Sequence, residues 1–128
     1  VTTTRLARFL VVGGSGVLVN STALLALHQW AGLPLLIASP LAVELSILNN
    51  FVWNDRWTFA TRTPSRGPMQ RLAQFNLVSA LGLLITTSIT VVLVQQLGVQ
   101  YLLSNVCGIA VATGCNFLAN ARWTWRST

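Results

Sequence analysis

Charge is what this sequence most lacks. Only 8% of its 128 residues are charged, and just two of them, Glu44 and Asp55, are acidic. A soluble domain carries about 25% charged residues, so ten ionised groups cannot cover a water-soluble globule of this length. Lysine is absent, histidine occurs once as His28, and cysteine occurs twice, as Cys107 and Cys115. Such a set cannot assemble a metal-ligand cluster, and no metal or other cofactor is expected. Nor does it contain the acidic pair or nucleophile–base arrangement that sugar transfer or hydrolysis would need, so the chain alone is not expected to be an enzyme. No GxxxxGK[ST] loop is present, which excludes nucleotide hydrolysis of that kind. The two cysteines lie about 80° apart around a helix and over two turns apart along it, which does not favour a mutual disulfide.

Apolar residues, in contrast, make up 53% of the chain. They gather in four stretches, 6–29, 34–53, 72–95 and 100–120. Each approximates the roughly 20 residues that cross a hydrocarbon core. The fold class expected is therefore all-α: a polytopic membrane protein with four transmembrane helices. RLAR at 5–8, followed by an apolar run, mimics a signal peptide. Its counterpart RLAQ at 71–74 opens an equivalent mid-chain segment, so a retained span is expected.

The four spans are two copies of one unit. Residues 5–60 align without gaps on 71–126, with 17 of 56 positions identical. Each copy is a span, a short turn, a second span and a basic aromatic end, so the organisation expected is two tandem two-helix repeats within one domain over 1–128. Gly32 and Gly98 occupy matching turns and suit tight reversals. The loop 60–70, with Pro64, Gly67 and Pro68, reads as the linker. An even number of spans per copy gives both the same orientation, with a pseudo-two-fold axis along the membrane normal.

The net charge of +6 would suggest nucleic acid in a soluble protein. Placement points elsewhere: all eight basic residues are arginines, at 5, 8, 56, 62, 66, 71, 122 and 126. They fall before the first span, between the second and third, and after the fourth. By the positive-inside rule these regions and both termini belong on the cytoplasmic side of the inner membrane. Nucleic acid is not an expected partner; membrane lipids are.

Several groups stand out against this apolar background. Gly13, Gly16 and Asn20 share a face of the first span, matched by Ser79, Gly82 and Thr86 in the third; small residues there let helices approach closely. GGSG at 13–16 lacks the third glycine, preceding strand and following acid of a dinucleotide loop. Pro40, without a counterpart, should kink the second span. Glu44 is the one acid deep in a span, a functional candidate by cost alone: a proton-coupling carboxyl, a hydroxyl acceptor, or a hydrogen-bonded structural group. Along the helix from it, Leu48, Phe51 and Asp55 lie on nearly one face. Ser46, Asn50 and Asn54 stack at four-residue intervals, and Asn116 with Asn120 repeats the last two; such amides bind sugars, phosphates or neighbouring helices. Arg5 with Arg71, and Arg56 with Arg122, mark the same helix ends, where guanidinium groups suit either phosphate or topology. Trp53, Trp57, Trp123 and Trp125 form an interfacial belt, and duplicated Trp57 and Trp123 suit stacking on a sugar.

These residues carry a family resemblance. RFLVVGGSGVLVN at 8–20, with NFVWNDRWTF at 50–59 and NFLANARWTW at 116–125, resembles the GtrA-like family of small four-span membrane proteins over nearly the whole chain. Members are implicated in moving polyprenyl-phosphate-linked sugars across the cytoplasmic membrane for cell-envelope glycosylation. The resemblance makes Asn50, Asn54, Arg56 and Trp57, with Asn116, Asn120, Arg122 and Trp123, substrate-binding candidates, to which Arg5, Arg71, Glu44 and Asn20 are added. Asp55 and Ala121 depart from the family, which often has a basic residue there. Arg56 and Arg122 would receive the phosphate, while the amides, Glu44 and the Thr86/Thr90 face accompany the sugar. Four spans make a thin wall, so a homodimer is expected. The competing readings are a scaffold that recruits a membrane glycosyltransferase and a small proton-coupled exporter using Glu44.

Overall fold

The computed structural model describes residues 2–127. Four long helices account for most of them: α1 (Thr2–Leu25), α2 (Leu35–Trp53), α3 (Pro68–Leu97) and α4 (Tyr101–Ala119). With their terminal turns they form four candidate spans, Thr2–Trp30, Leu35–Thr58, Pro68–Leu97 and Tyr101–Thr124, each long and apolar enough to cross a bilayer. The protein is all-α and multi-pass, as composition implies. The helices outrun the apolar stretches because polar residues at their ends continue the same hydrogen-bonded coil.

The chain divides into two compact units, 1–62 and 63–128. In the first, α1 packs on α2; in the second, α3 packs on α4. Reversal between helices rests on a left-handed glycine in each unit. Gly32 has φ +75° and Gly98 φ +66°, a region where a Cβ is costly. Gly98 caps α3, its N–H bonding the Leu93 carbonyl, while Leu33 N–H reaches Leu27 O at 3.0 Å and Val99 N–H reaches Leu93 O at 3.0 Å. His28 Nδ1 adds a 2.8 Å bond to Leu33 O across the first turn.

Inside each hairpin the seam is built from small residues and follows the duplication. Val12, Ala38, Ala42 and Phe51 are buried in the first unit; Val78, Ser104, Gly108 and Phe117 are buried at the matching places in the second. Glycine is required where the helices touch. A Cβ on Gly16 would lie 2.9 Å from Cγ of Asn50, and one on Gly82 2.9 Å from Cγ of Asn116. On Gly108 it would stand 2.8 Å from the Thr86 carbonyl oxygen. In lipid the hydrophobic effect does not join helices, so close backbone approach and hydrogen bonds must. Gly13, in contrast, has nothing within 4 Å: the seam follows Val12 and Gly16, four residues apart, and leaves Gly13 on the exposed flank. Helix α2 runs through Pro40 unbroken. The apolar surface outside the seam is exposed, from Val11 and Leu18 to Leu36 and Leu84, as lipid-facing helices require.

Candidate functional site

The duplicated NFxxNxRWT ends depart from a plain α-helix, as the end of the first span also does at the π-helical turn Ala26–Trp30. Asn54–Thr58 and Asn120–Thr124 are single π-helical turns. Their defining bonds run from Phe59 N–H to Asn54 O at 2.8 Å and from Trp125 N–H to Asn120 O at 2.9 Å. Such wide turns are rare and occur often at functional positions. A side-chain bond locks each one: the Thr58 hydroxyl donates to Asn54 Oδ1 at 2.7 Å, and Thr124 to Asn120 Oδ1 at 2.8 Å. The wide turn lets consecutive residues go inward, so Thr58 with Phe59, and Thr124 with Trp125, are all buried. Phe75 meets Trp125 edge-on, ring centroids 5.6 Å apart.

The amide stripe therefore divides. Asn54 and Asn120 are 2% and 1% exposed: they hold the turns that present Arg56–Trp57 and Arg122–Trp123. Asn50 and Asn116 are half-buried in the hairpin seams against Gly16 and Gly82. Ser46 donates to Gly16 O at 2.8 Å, and Asn49 Nδ2 donates to Ser15 Oγ at 3.0 Å. Asn20 is half-buried farther along α1. Glu44 is exposed on α2; its expected companions part from it, since Phe51 is buried and Asp55 half-buried while Leu48 is exposed.

Two hollows open at the arginine-rich end of the first unit. The larger, about 500 Å³, is lined by Val11, Val12, Ser15, Trp53, Arg56 and Trp57. The smaller, about 220 Å³, is lined by Thr4, Arg5, Arg8, Trp57, Thr58 and Thr61. Trp57 belongs to both. Arg8 stacks over its ring, 5.3 Å from the centroid, and donates to its carbonyl at 3.2 Å. Arg5 donates to Thr61 Oγ1 at 2.9 Å. Arg62, outside the span, has its pKa lowered, first by burial and then by the charge of Arg5. Arginine remains protonated through any ordinary pH range.

The second unit treats the same positions differently. Gln74 stands where the first unit has Arg8. With its carboxamide oriented to satisfy both neighbours, its oxygen accepts from Trp123 Nε1 at 2.8 Å and from Arg66 at 2.6 Å. Arg71, the match of Arg5, is buried and donates to Arg66 O at 2.7 Å. Arg122 remains exposed. The linker helps to close this end: Ser65 N–H donates to Arg126 O at 3.1 Å, beside a bridge pairing Pro64 with Ser127.

Of the candidates read from sequence, Arg56 and Trp57 thus share the larger hollow, and Arg5 and Trp57 the smaller. Arg122 and Trp123 share the end of the second unit, and Asn50, Asn116, Asn20 and Glu44 lie along the spans. Arg8, Trp53 and Ser15 join the site although the sequence offered none of them as a substrate-binding candidate. The signal for Arg8 is RLARF set against RLAQF, a difference between the copies rather than an identity.

Similarity to known proteins agrees with this architecture. Residues 8–125 match the family model described as the GtrA/DPMS transmembrane domain. The chain is also 40% identical, over 122 residues, to a Pyrococcus furiosus protein named dolichol-phosphate mannosyltransferase. That alignment takes in 94% of this chain and 34% of the relative, so the chain spans about a third of the relative's length.

Proposed function

Because the chain belongs to the GtrA/DPMS transmembrane-domain family, we propose that it carries a polyprenyl-phosphate-linked sugar across the cytoplasmic membrane, for glycosylation of cell-envelope polymers. The observation carrying this reading is the hollow beside Trp57, where Arg56 meets the apolar wall of Val11, Val12 and Trp53. An amphiphile with an anionic head and a hydrocarbon tail matches that pairing. The tail stays in the bilayer; only the head must cross. Each unpaired hydroxyl entering hydrocarbon costs roughly 4–8 kcal/mol on a cyclohexane-type scale, and a charge costs more. Guanidinium groups at the arginine-rich end of each unit, Arg56 in the first and Arg122 in the second, offset the phosphate charge. The indoles of Trp57 and Trp123 offer stacking faces for the sugar, and Asn50, Asn116, Asn20 and Glu44 offer polar contacts along the spans. Asn54 and Asn120 serve by holding the turns. In this reading the chain performs no sugar chemistry, keeps both termini in the cytoplasm and works as a homodimer.

The relative's name favours a second reading. In the Pyrococcus protein a region like this chain is one third of a molecule named for mannosyl transfer, so a scaffold that docks a membrane glycosyltransferase is the alternative. Reconstitution separates the two. Purified chain in liposomes should speed the crossing of a short-chain isoprenyl-phosphate sugar at least tenfold over empty vesicles. A rate equal to that of empty vesicles, with a glycosyltransferase retained on the purified chain, would leave the scaffold.

A further inference from the structure

The two hairpins share one plan, and at the larger hollow they part from it. In the first unit its wall includes Ser15, Trp53, Arg56 and Trp57. At the matching positions of the second unit the arginine and the indole recur as Arg122 and Trp123, but Leu81 stands for Ser15 and Ala119 for Trp53. The residue behind Ser15 changes with it. Asn49 Nδ2 donates to Ser15 Oγ at 3.0 Å, and the match of Asn49 is Cys115. A hydroxyl held by an amide in one hairpin is replaced by a leucine and a cysteine in the other.

Helix pairing does not account for this polar pair. Helix α3 packs on α4 with Leu81 and Cys115 at these places, so the seam closes there without a hydroxyl–amide bond. Nor does Ser15 depend on Asn49 for a partner. Its hydroxyl already donates to Val12 O at 2.6 Å, the local bond by which a helical serine is satisfied. What Asn49 adds is orientation. With its proton on Val12 and one lone pair on Asn49, the Ser15 oxygen is fixed and keeps one lone pair for a further donor. Ser15 is the one hydroxyl-bearing residue in a wall otherwise aliphatic, aromatic and cationic.

Building on the lipid-carrier reading above, we infer that Ser15 is the specificity-determining contact of the first hairpin, accepting from one hydroxyl of the sugar headgroup. Asn49 is its positioning residue, and the second hairpin has no such contact. Asn49 stands seven positions before Arg56, about 10 Å along a helix, so a phosphate at Arg56 leaves room for a ring below the level of Ser15. The hollow's volume of about 500 Å³ is that of a small-molecule site. The charge of Arg56 serves every phosphate-linked headgroup alike. Choice among headgroups requires a directional partner, and a sugar presenting hydrogen instead of hydroxyl toward Ser15 forgoes that bond.

The test is the rate of crossing in liposomes that carry the purified full chain. Farnesyl-phosphate glucose, farnesyl-phosphate mannose and their monodeoxy analogues are compared at low cargo fraction. On the unaltered chain, one deoxy position should slow crossing about three- to tenfold against its parent, as expected for one neutral hydrogen bond. Ser15→Ala should slow the parent to the rate of that analogue and leave the analogue within about twofold, so that the difference between them vanishes. Asn49→Ala should shrink the difference without erasing it. Cys115→Ala, at the place of Asn49 in the second hairpin, should keep it whole. Equal rates for every analogue, a difference that survives Ser15→Ala, or equal losses for Asn49→Ala and Cys115→Ala overturn the inference while the lipid-carrier reading stands. No glycoside crossing faster than in empty vesicles sinks that reading too. The analogue series uses the unaltered chain, so a misfolded Ser15→Ala leaves it and the Asn49→Ala comparison to decide.

Discussion

At the scale of single residues, Thr58 shows how much an apolar seam asks of one hydroxyl. It is 2% exposed and its donor is committed to Asn54, itself 2% exposed. Thr58→Val keeps the shape and leaves the buried asparagine oxygen short of its bond. A loss of about 1–3 kcal/mol is expected for such an orphaned group, measurable as a lower midpoint in detergent unfolding, with Thr124→Val behaving alike. Glycines offer a sharper contrast. Gly108→Ala must push against the Thr86 backbone, which cannot rotate away, and should cost about 1–3 kcal/mol as overpacking does. Gly13→Ala meets open space and should leave stability unchanged or gain up to about 1 kcal/mol from helix propensity. Equal effects at the two positions would refute the packing described. Glu44 makes no hydrogen bond or ion pair among the described residues, so Glu44→Gln should move the unfolding midpoint by less than about 0.5 kcal/mol. A drop in lipid-sugar crossing without a drop in stability would then tie its carboxyl to the cargo.

At the scale of elements, the π-helical turns set which side chains point outward. Removing Ala121 would restore an ordinary α-turn and rotate Arg122 and Trp123 by about 100°. Trp123 then loses its bond to Gln74, and an emission shift of the tryptophan fluorescence should report the wetter indole; an unchanged spectrum would count against the lock. These turns also mark where the sequence stops being legible. Apolar length alone locates the four helices, and Gly32 and Gly98 announce the left-handed reversals because only glycine adopts them freely. The asparagines are harder. A wheel at 100° per residue puts Asn50 and Asn54 on one face, and nothing in it says whether that face lines a groove or is closed by a neighbouring helix. Packing against Gly16, and the bond from Thr58, decide for the seam. The departure from α-geometry arises from burying residues 58 and 59 together, which no single-residue preference announces. Likewise RLARF and RLAQF differ visibly in sequence, but that the arginine stacks on Trp57 while the glutamine clasps Trp123 depends on side-chain positions in space.

At the scale of the whole molecule, the arginines cluster in three regions separated by pairs of spans, and the topology proposed puts those regions on one side of the bilayer. Single cysteines placed at Thr3, Thr63 and Ser127, with Cys107 and Cys115 replaced by alanine, should be labelled by an impermeant reagent only from the inner face. Cysteines at Ala31 and Val99 should be labelled only from the outer face. Any reversal would undo the assignment of the arginine-rich ends to the inner leaflet.

The clasp between the linker and the chain beyond α4 has a bearing on assembly in time. Ser65 bonds to Arg126, and Pro64 pairs with Ser127, so this half starts and finishes at the same spot. A ribosome that has delivered α3 and α4 has not yet delivered the latch. Until residue 127 emerges, Pro64 and Ser65 have no partner there, whereas the first half, bonded from Arg5 to Thr61, can already be shut. The older-made hairpin is ready early, and its younger twin is the step that waits.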